Sequence, residues 1–209
     1  FSERLSNQGV TPDSPYLLYP AAFRPYKNHA LLISALGELK RRQPKNWKVI
    51  FTGIRECPAE LNRQMAQLGV ENDVLTLGKV SRLELAWLYK HAFATVVPSL
   101  YEQGSFPVME ALHCGCPALA SNIPSLREQF GSIGESMLFF DPHEPADLVS
   151  QLESLATARA SVIAAQQAGF AAMRSNTWEA AAHEWLKVFR EAVELGSPIA
   201  NVRQTQAAA

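Results

Sequence analysis

The stretch Trp47–Val97 reads WKVIFTGIRECPAELNRQMAQLGVENDVLTLGKVSRLELAWLYKHAFATVV, and its alternation decides the fold class. Trp47–Thr52 is a short apolar run that stops at Gly53, the pattern of a buried strand. Ala59–Leu68 follows with helical spacing, and Gly69 stands where a helix C-terminal cap is expected. Val74–Leu77 is again a strand, Arg82–His91 a helix, and Ala94–Val97 a strand ending at Pro98.

The same rhythm runs outward on both sides. Upstream, Tyr16–Tyr19 predicts a strand and His29–Arg42 a helix, with Leu31, Leu32, Ala35, Leu36 and Leu39 on one face. Downstream, helices over Phe106–His113 and Ser125–Phe130 interleave with strands over Pro117–Ala120 and Met137–Phe140. Helices over Pro145–Ala158, about 159–173 and 178–195 close the pattern, and Trp178, Trp185 and Phe189 read as one buried face of the last. Nearly uniform apolar strands alternating with helices imply a parallel sheet covered on both faces. The expected fold is α/β, a Rossmann-like parallel sheet with helices on both faces over residues 16–195. Residues 1–15 read as a polar linker or disordered lead-in and 196–209 as a flexible tail.

Composition narrows the function. At 209 residues the chain is long enough to bury a core without staples. Nineteen Lys+Arg against twenty Asp+Glu leave a net charge of −1, which argues against a nucleic-acid partner. No apolar run approaches the roughly 20 residues of a membrane span. The start at Phe1 reads as a fragment boundary, and no signal peptide is read there. Cys57, Cys114 and Cys116 are odd in number and sit in apolar contexts, which suits a reducing cytoplasm better than a secreted disulfide scaffold.

Open parallel sheets bind ligands beyond the carboxyl ends of their strands. The loops at 20–28, 53–58, 78–81, 98–105 and 121–125 are therefore where chemistry is expected. Neither G-x-G-x-x-G nor a G-x-x-x-x-G-K-[ST] phosphate loop occurs, which argues against a dehydrogenase or a P-loop kinase. The strongest constellation is Pro98–Pro117, PSLYEQGSFPVMEALHCGCP. Glu102 lies in the loop after the fourth strand, Gly104 offers backbone angles closed to other residues, and Ser105 suits a helix N-cap. Pro107 fits the first turn. The free N–H groups of that helix start form a site for an anion, and Glu110, about one and a half turns in, would accept hydrogen bonds from hydroxyls. Two Glu eight residues apart also arise as solvated surface charges, so the pair alone leaves both readings open.

The surrounding residues add a resemblance. Pro98-Ser99, Glu102, Pro107, Glu110-Ala-Leu and Gly115-Cys-Pro-Ala-Leu-Ala-Ser121 together resemble the C-terminal domain of retaining glycosyltransferases of family 4, which have the two-domain GT-B architecture. Lys27-Asn-His29 and Leu77-Gly-Lys-Val-Ser81 match that family in order, so the likeness spans roughly 16–195. The resemblance implies a nucleoside-diphosphate sugar donor, GDP- or UDP-linked, with no other cofactor and no metal. It implies that Glu102 is the catalytic residue near the transferred sugar and that Glu110 binds the ribose hydroxyls. Lys27 would contact the diphosphate, the backbone of Gly104, Ser105 and Phe106 would hold the phosphates, and the loop with Lys79 and Val80 would contact the base.

One departure stands out. The family's usual arginine falls at Ala22, and Arg24 either supplies that second cation from another position or is a surface arginine. Arg55 and Arg82 are expected to add positive potential, whereas His29 is not favoured as a ligand contact. The implied partner is an N-terminal acceptor-binding domain that should precede Phe1, and peripheral membrane association would run through it. The expected place of work is the cytoplasm or the inner face of the membrane, in bacterial polysaccharide or glycolipid synthesis, with mannosyl transfer as the favoured chemistry. A nucleotide-sugar 2-epimerase and a non-catalytic nucleotide-binding module are the alternatives.

Overall fold

The computed structural model describes residues 1, 5–7, 9–10, 15–42, 46–53, 56–173 and 177–194. Six strands are β1 (Tyr16–Pro20), β2 (Lys48–Thr52), β3 (Val74–Thr76), β4 (Ala94–Val97), β5 (Ala118–Ser121) and β6 (Leu138–Phe140). They form one parallel sheet in the order β3-β2-β1-β4-β5-β6. The helices are α1 (His29–Arg42), α2 (Ala59–Leu68), α3 (Arg82–His91), α4 (Phe106–His113), α5 (Pro124–Phe130), α6 (Pro145–Met173) and α7 (Trp178–Glu194). Every residue of β2, β4 and β5 is buried, which is why these strands read as unbroken apolar runs instead of alternating.

Local chemistry sets the helix ends. Ser81 and Glu84 close a reciprocal capping box at the start of α3. Gly69 ends α2 at φ 64°, a left-handed conformation that favours glycine. The one charged side chain buried in β2, Lys48, is neutralised by Asp73 at 2.8 Å, and Asp73 also meets Lys40 at 2.6 Å. From α6 the buried Gln166 accepts from the Ala118 N–H and donates to the Ala118 carbonyl, supplying β5 with the bonds a strand neighbour would give.

The helices expected either side of residue 158 are found as the two stretches of α6, separated by a kink at Ala158 whose backbone (φ −124°, ψ 25°) is not helical. In the lead-in, Leu5 and Val10 are fully buried and the Phe1 ring lies edge-on to Trp87, packing that the polar composition did not foretell. The chain divides into two units, Phe1–Phe170 and Ala171–Ala209. In the second, the rings of Trp185 and Phe189 lie 5.7 Å apart, but both are exposed, as is Trp178, so the expected buried face is corrected. An amphipathic pattern says which side chains share a face, not whether anything covers it. Among the described residues no helix is long and apolar enough to cross a membrane.

Candidate functional site

The strand order reverses at β1 and β4, sheet neighbours that are not consecutive in the chain. The loops leaving their carboxyl ends diverge there and open a crevice, the usual ligand position in such sheets. After β1, a 3-10 turn (Pro25–Lys27) ends at Asn28, which adopts φ 53° and closes the turn through its N–H to the Pro25 carbonyl. The Asn28 amide also donates to the Pro142 carbonyl at 2.8 Å, tying this loop to the one after β6. Lys27 is thereby directed to the β4 loop, where its Nζ lies 2.5 Å from Oε1 of Glu102. Ser99 Oγ donates to the same oxygen at 2.7 Å. Tyr26, Lys27, Tyr101, Glu102 and Gly104 line a cavity of about 500 Å³.

The start of α4 forms one wall of the crevice. Ser105 acts as its N-cap, accepting from the Val108 N–H at 3.4 Å. The Ser105 N–H is itself taken by Oε1 of Gln129 at 2.8 Å. Among the described residues the N–H groups of Gly104 and Phe106 have no partner, so the expected backbone trio offers two available donors instead of three. Gly104 is not among the glycines of positive φ, which corrects the expectation of special backbone angles. A Cβ there would stand 3.4 Å from the Gln129 amide, an ordinary contact, so nothing in the packing demands a glycine.

A second cavity, about 280 Å³, lies over the ends of β1 and β2 and gathers Ala21, Ala22, Gly53, Lys79, Val80 and Glu110. Gly53 has φ 154°, and a Cβ on it would come within 2.9 Å of the Ala21 carbonyl. Behind this loop sits His29, 2% exposed and packed against Tyr19, Phe23 and Phe51. Burial, with the Lys27 charge adding to it, lowers its pKa to about 4. The ring is therefore neutral near pH 7, and its Nε2–H faces the Ala21 carbonyl at 3.3 Å. Glu110 is aimed by Tyr89, whose hydroxyl donates to Oε2 at 2.7 Å.

Two groups of residues expected at the site thus gather in two cavities: Lys27, Glu102 and Gly104 in one, Lys79, Val80 and Glu110 in the other. Phe106 and Arg82 line a further cavity of about 510 Å³ that shares Glu110 with the second. The Lys27 N–H bonds to the Arg24 carbonyl at 3.0 Å, but Arg24 lines a separate cavity with Asn28, Pro58 and Glu60 and not the one that holds Lys27. Arg55 lies outside the described residues. Sequence reasoning did not find Tyr19, Tyr89 and Gln129, since nothing local distinguishes them, and it quoted Ser99 without a role. Gly53, a glycine closing a strand, carried a signal that was legible. As a whole the arrangement offers a cation beside a carboxylate, two available N–H donors at a helix start, and a second carboxylate placed to receive hydroxyls. That set fits a phosphorylated, hydroxyl-rich ligand.

The family described as glycosyl transferases group 1 matches residues 2–183. O-antigen chain mannosyltransferase B of Escherichia coli is 32% identical over 167 residues, 78% of this chain and 42% of that protein. A D-inositol 3-phosphate glycosyltransferase of Paenarthrobacter aurescens (strain TC1) is 29% identical over 153 residues, 72% of this chain and 37% of that protein. The chain thus spans less than half the length of these curated relatives. Among solved structures, Anabaena Alr3699/HepE in complex with UDP and glucose superposes with a TM-score of 0.73 at 18% identity, covering 91% of this chain and 52% of that one. This last likeness is one of fold.

Proposed function

Because the chain belongs to the glycosyl transferases group 1 family, we propose that it is the donor-binding half of a retaining GT-B glycosyltransferase of family 4. The reaction is hexosyl transfer from a nucleoside-diphosphate sugar without a metal ion. The observation that carries this reading is the meeting of Lys27 and Glu102 at 2.5 Å in the crevice between β1 and β4. Lys27 and the N–H groups of Gly104 and Phe106 receive the diphosphate. Glu110 accepts from the ribose hydroxyls, the Lys79–Val80 segment meets the base, and Glu102 faces the transferred sugar. As the sugar departs, negative charge grows on the diphosphate, and donors already in place stabilise it more than they stabilise the bound substrate.

The donor is GDP- or UDP-linked. The name of the Escherichia coli relative favours a mannosyl group and a polysaccharide product, and the proposed place of work is the cytoplasm or the inner face of the membrane. The acceptor-binding domain corresponds to the length of the relatives that this chain does not span. Titrating the chain in parallel with GDP, UDP and ADP in a calorimeter tests the reading: selective binding of one diphosphate is expected, and no heat with any of them at millimolar nucleotide overturns it. Because the chain spans only 42% of that relative, a second reading holds that by itself it binds nucleotide without transferring sugar. Product analysis with a nucleotide sugar separates transfer, 2-epimerisation and binding alone.

A further inference from the structure

Lys27 Nζ and Ser99 Oγ converge on a single oxygen, Oε1 of Glu102, at 2.5 and 2.7 Å. Ser99 is fully buried, and the side chains of Glu102 and Lys27 are 9% and 20% exposed. Behind Ser99 stands the buried Tyr19 hydroxyl, 2.9 Å from Ser99 Oγ and 3.1 Å from the Lys27 carbonyl. Burial holds the Tyr19 phenol far above its ordinary pKa, so it keeps its proton.

Counting hydrogens orders this chain of groups. Tyr19 and Ser99 own one hydroxyl hydrogen each, yet three contacts call for one. A charged acceptor makes the strongest bond, so the Ser99 hydrogen goes to Glu102. The Tyr19 hydrogen then goes to Ser99 Oγ, the nearer of its two acceptors, and fixes Ser99 as a donor toward the carboxylate. Two donors on one oxygen share its charge, so the Ser99 bond loosens the hold of Glu102 on Lys27.

The consequence concerns Lys27, whose ammonium both Glu102 and a bound diphosphate would claim. Resting on the donor-site reading above, we propose that Glu102 competes with the donor diphosphate for Lys27, and that Ser99, oriented by Tyr19, is the positioning residue that moderates this competition. When Lys27 turns to phosphate, Glu102 keeps the Ser99 hydrogen bond and stays at the cavity wall.

The test is a double-mutant cycle on this chain, titrated calorimetrically with UDP, GDP and inorganic pyrophosphate, with thermal melting as a check of the fold. Glu102→Gln should tighten diphosphate binding by about three- to tenfold, because a competing charge is removed. Ser99→Ala should weaken it about threefold in the native background and leave it unchanged in the Glu102→Gln background. Tyr19→Phe should act in the direction of Ser99→Ala and provides a second variant if Ser99→Ala melts early. Weaker binding by Glu102→Gln, or an equal Ser99→Ala effect in both backgrounds, overturns the proposal while leaving the donor site standing. A native chain that binds neither nucleotide nor pyrophosphate overturns the donor-site reading and this proposal with it.

Discussion

Tyr89 and Glu110 lie 21 residues apart in the chain, and the phenol of the first donates to Oε2 of the second at 2.7 Å. Tyr89 is buried in α3 and Glu110 is exposed on α4, so the carboxylate is held from behind and its other oxygen is left for a ligand. Glu110→Gln should weaken ribonucleoside diphosphate binding by about tenfold, the loss of a charge-assisted contact. Tyr89→Phe should weaken it by about threefold, since the acceptor survives but loses its orientation. Calorimetry gives both numbers, and an unchanged melting temperature of Glu110→Gln is part of the expectation; collapse of the fold would make Glu110 structural.

The two cations nearest the crevice should part company. Lys27→Ala removes the one charged donor that, among the described residues, stands beside Glu102, and should cost about 10–100-fold in diphosphate affinity. Arg24→Ala should leave affinity within about twofold, because Arg24 lines another cavity and a surface guanidinium is screened. Equal losses in the two variants would place Arg24 in the phosphate site after all.

Gly53, just past β2, lies against the Ala21–Ala22 segment just past β1. A methyl group there would meet the Ala21 carbonyl at 2.9 Å, on a backbone at φ 154°. Gly53→Ala should destabilise the chain by about 1–3 kcal/mol and weaken nucleotide binding, since the Ala21–Ala22 segment must move. Urea unfolding measures the first effect and titration the second; a variant normal in both would show that the loop yields freely.

Acid should lower the protein's stability over two pH ranges. His29 titrates at about 4 when folded, from an ordinary 6.5, so the unfolded chain binds more protons between those values. Its contribution is complete above the higher value and falls away as pH drops toward the lower one. For Asp73, burial opposes ionisation, but the hydrogen bonds and charges of Lys40 and Lys48 outweigh it and hold the carboxyl below its ordinary range. That contribution is present above about pH 4 and is lost below it. Melting temperature against pH should be level near neutrality, decline below about 6.5 and steepen below about 4, with His29→Gln flattening the first decline. A native curve level from pH 7 down to about 4.5 would remove His29 from this account.

Elements were legible in the sequence where a local period carried them. The β2 run stops at Gly53 and α2 stops at Gly69. The Ser105 cap follows from the same kind of signal, whereas the common placement of Lys79, Val80 and Glu110 was implied only by the resemblance to glycosyltransferases. Contacts between distant segments were not legible. Gln129 reaches the Ser105 N–H from 24 residues away and Tyr19 reaches Ser99 from 80, and no local pattern marks either pairing. The break between the helical stretches 145–158 and 159–173 was legible, and it falls at Ala158, whose backbone is not helical.

Lys27 and Glu102 are 75 residues apart in the chain and meet only because β1 and β4 pair. Closing a loop of that length costs about 4 kcal/mol of chain entropy before any contact repays it. The half-sheet β3-β2-β1 can form from nearer neighbours, but it carries the ammonium without its carboxylate. On that cost the two charges are expected to stay separate until β4 docks, and the site to form late in sheet assembly. Nucleotide protection should accordingly appear only once β4 has docked, so the moment at which a refolding chain first resists exchange in the Lys27 loop is a clock for β1–β4 pairing.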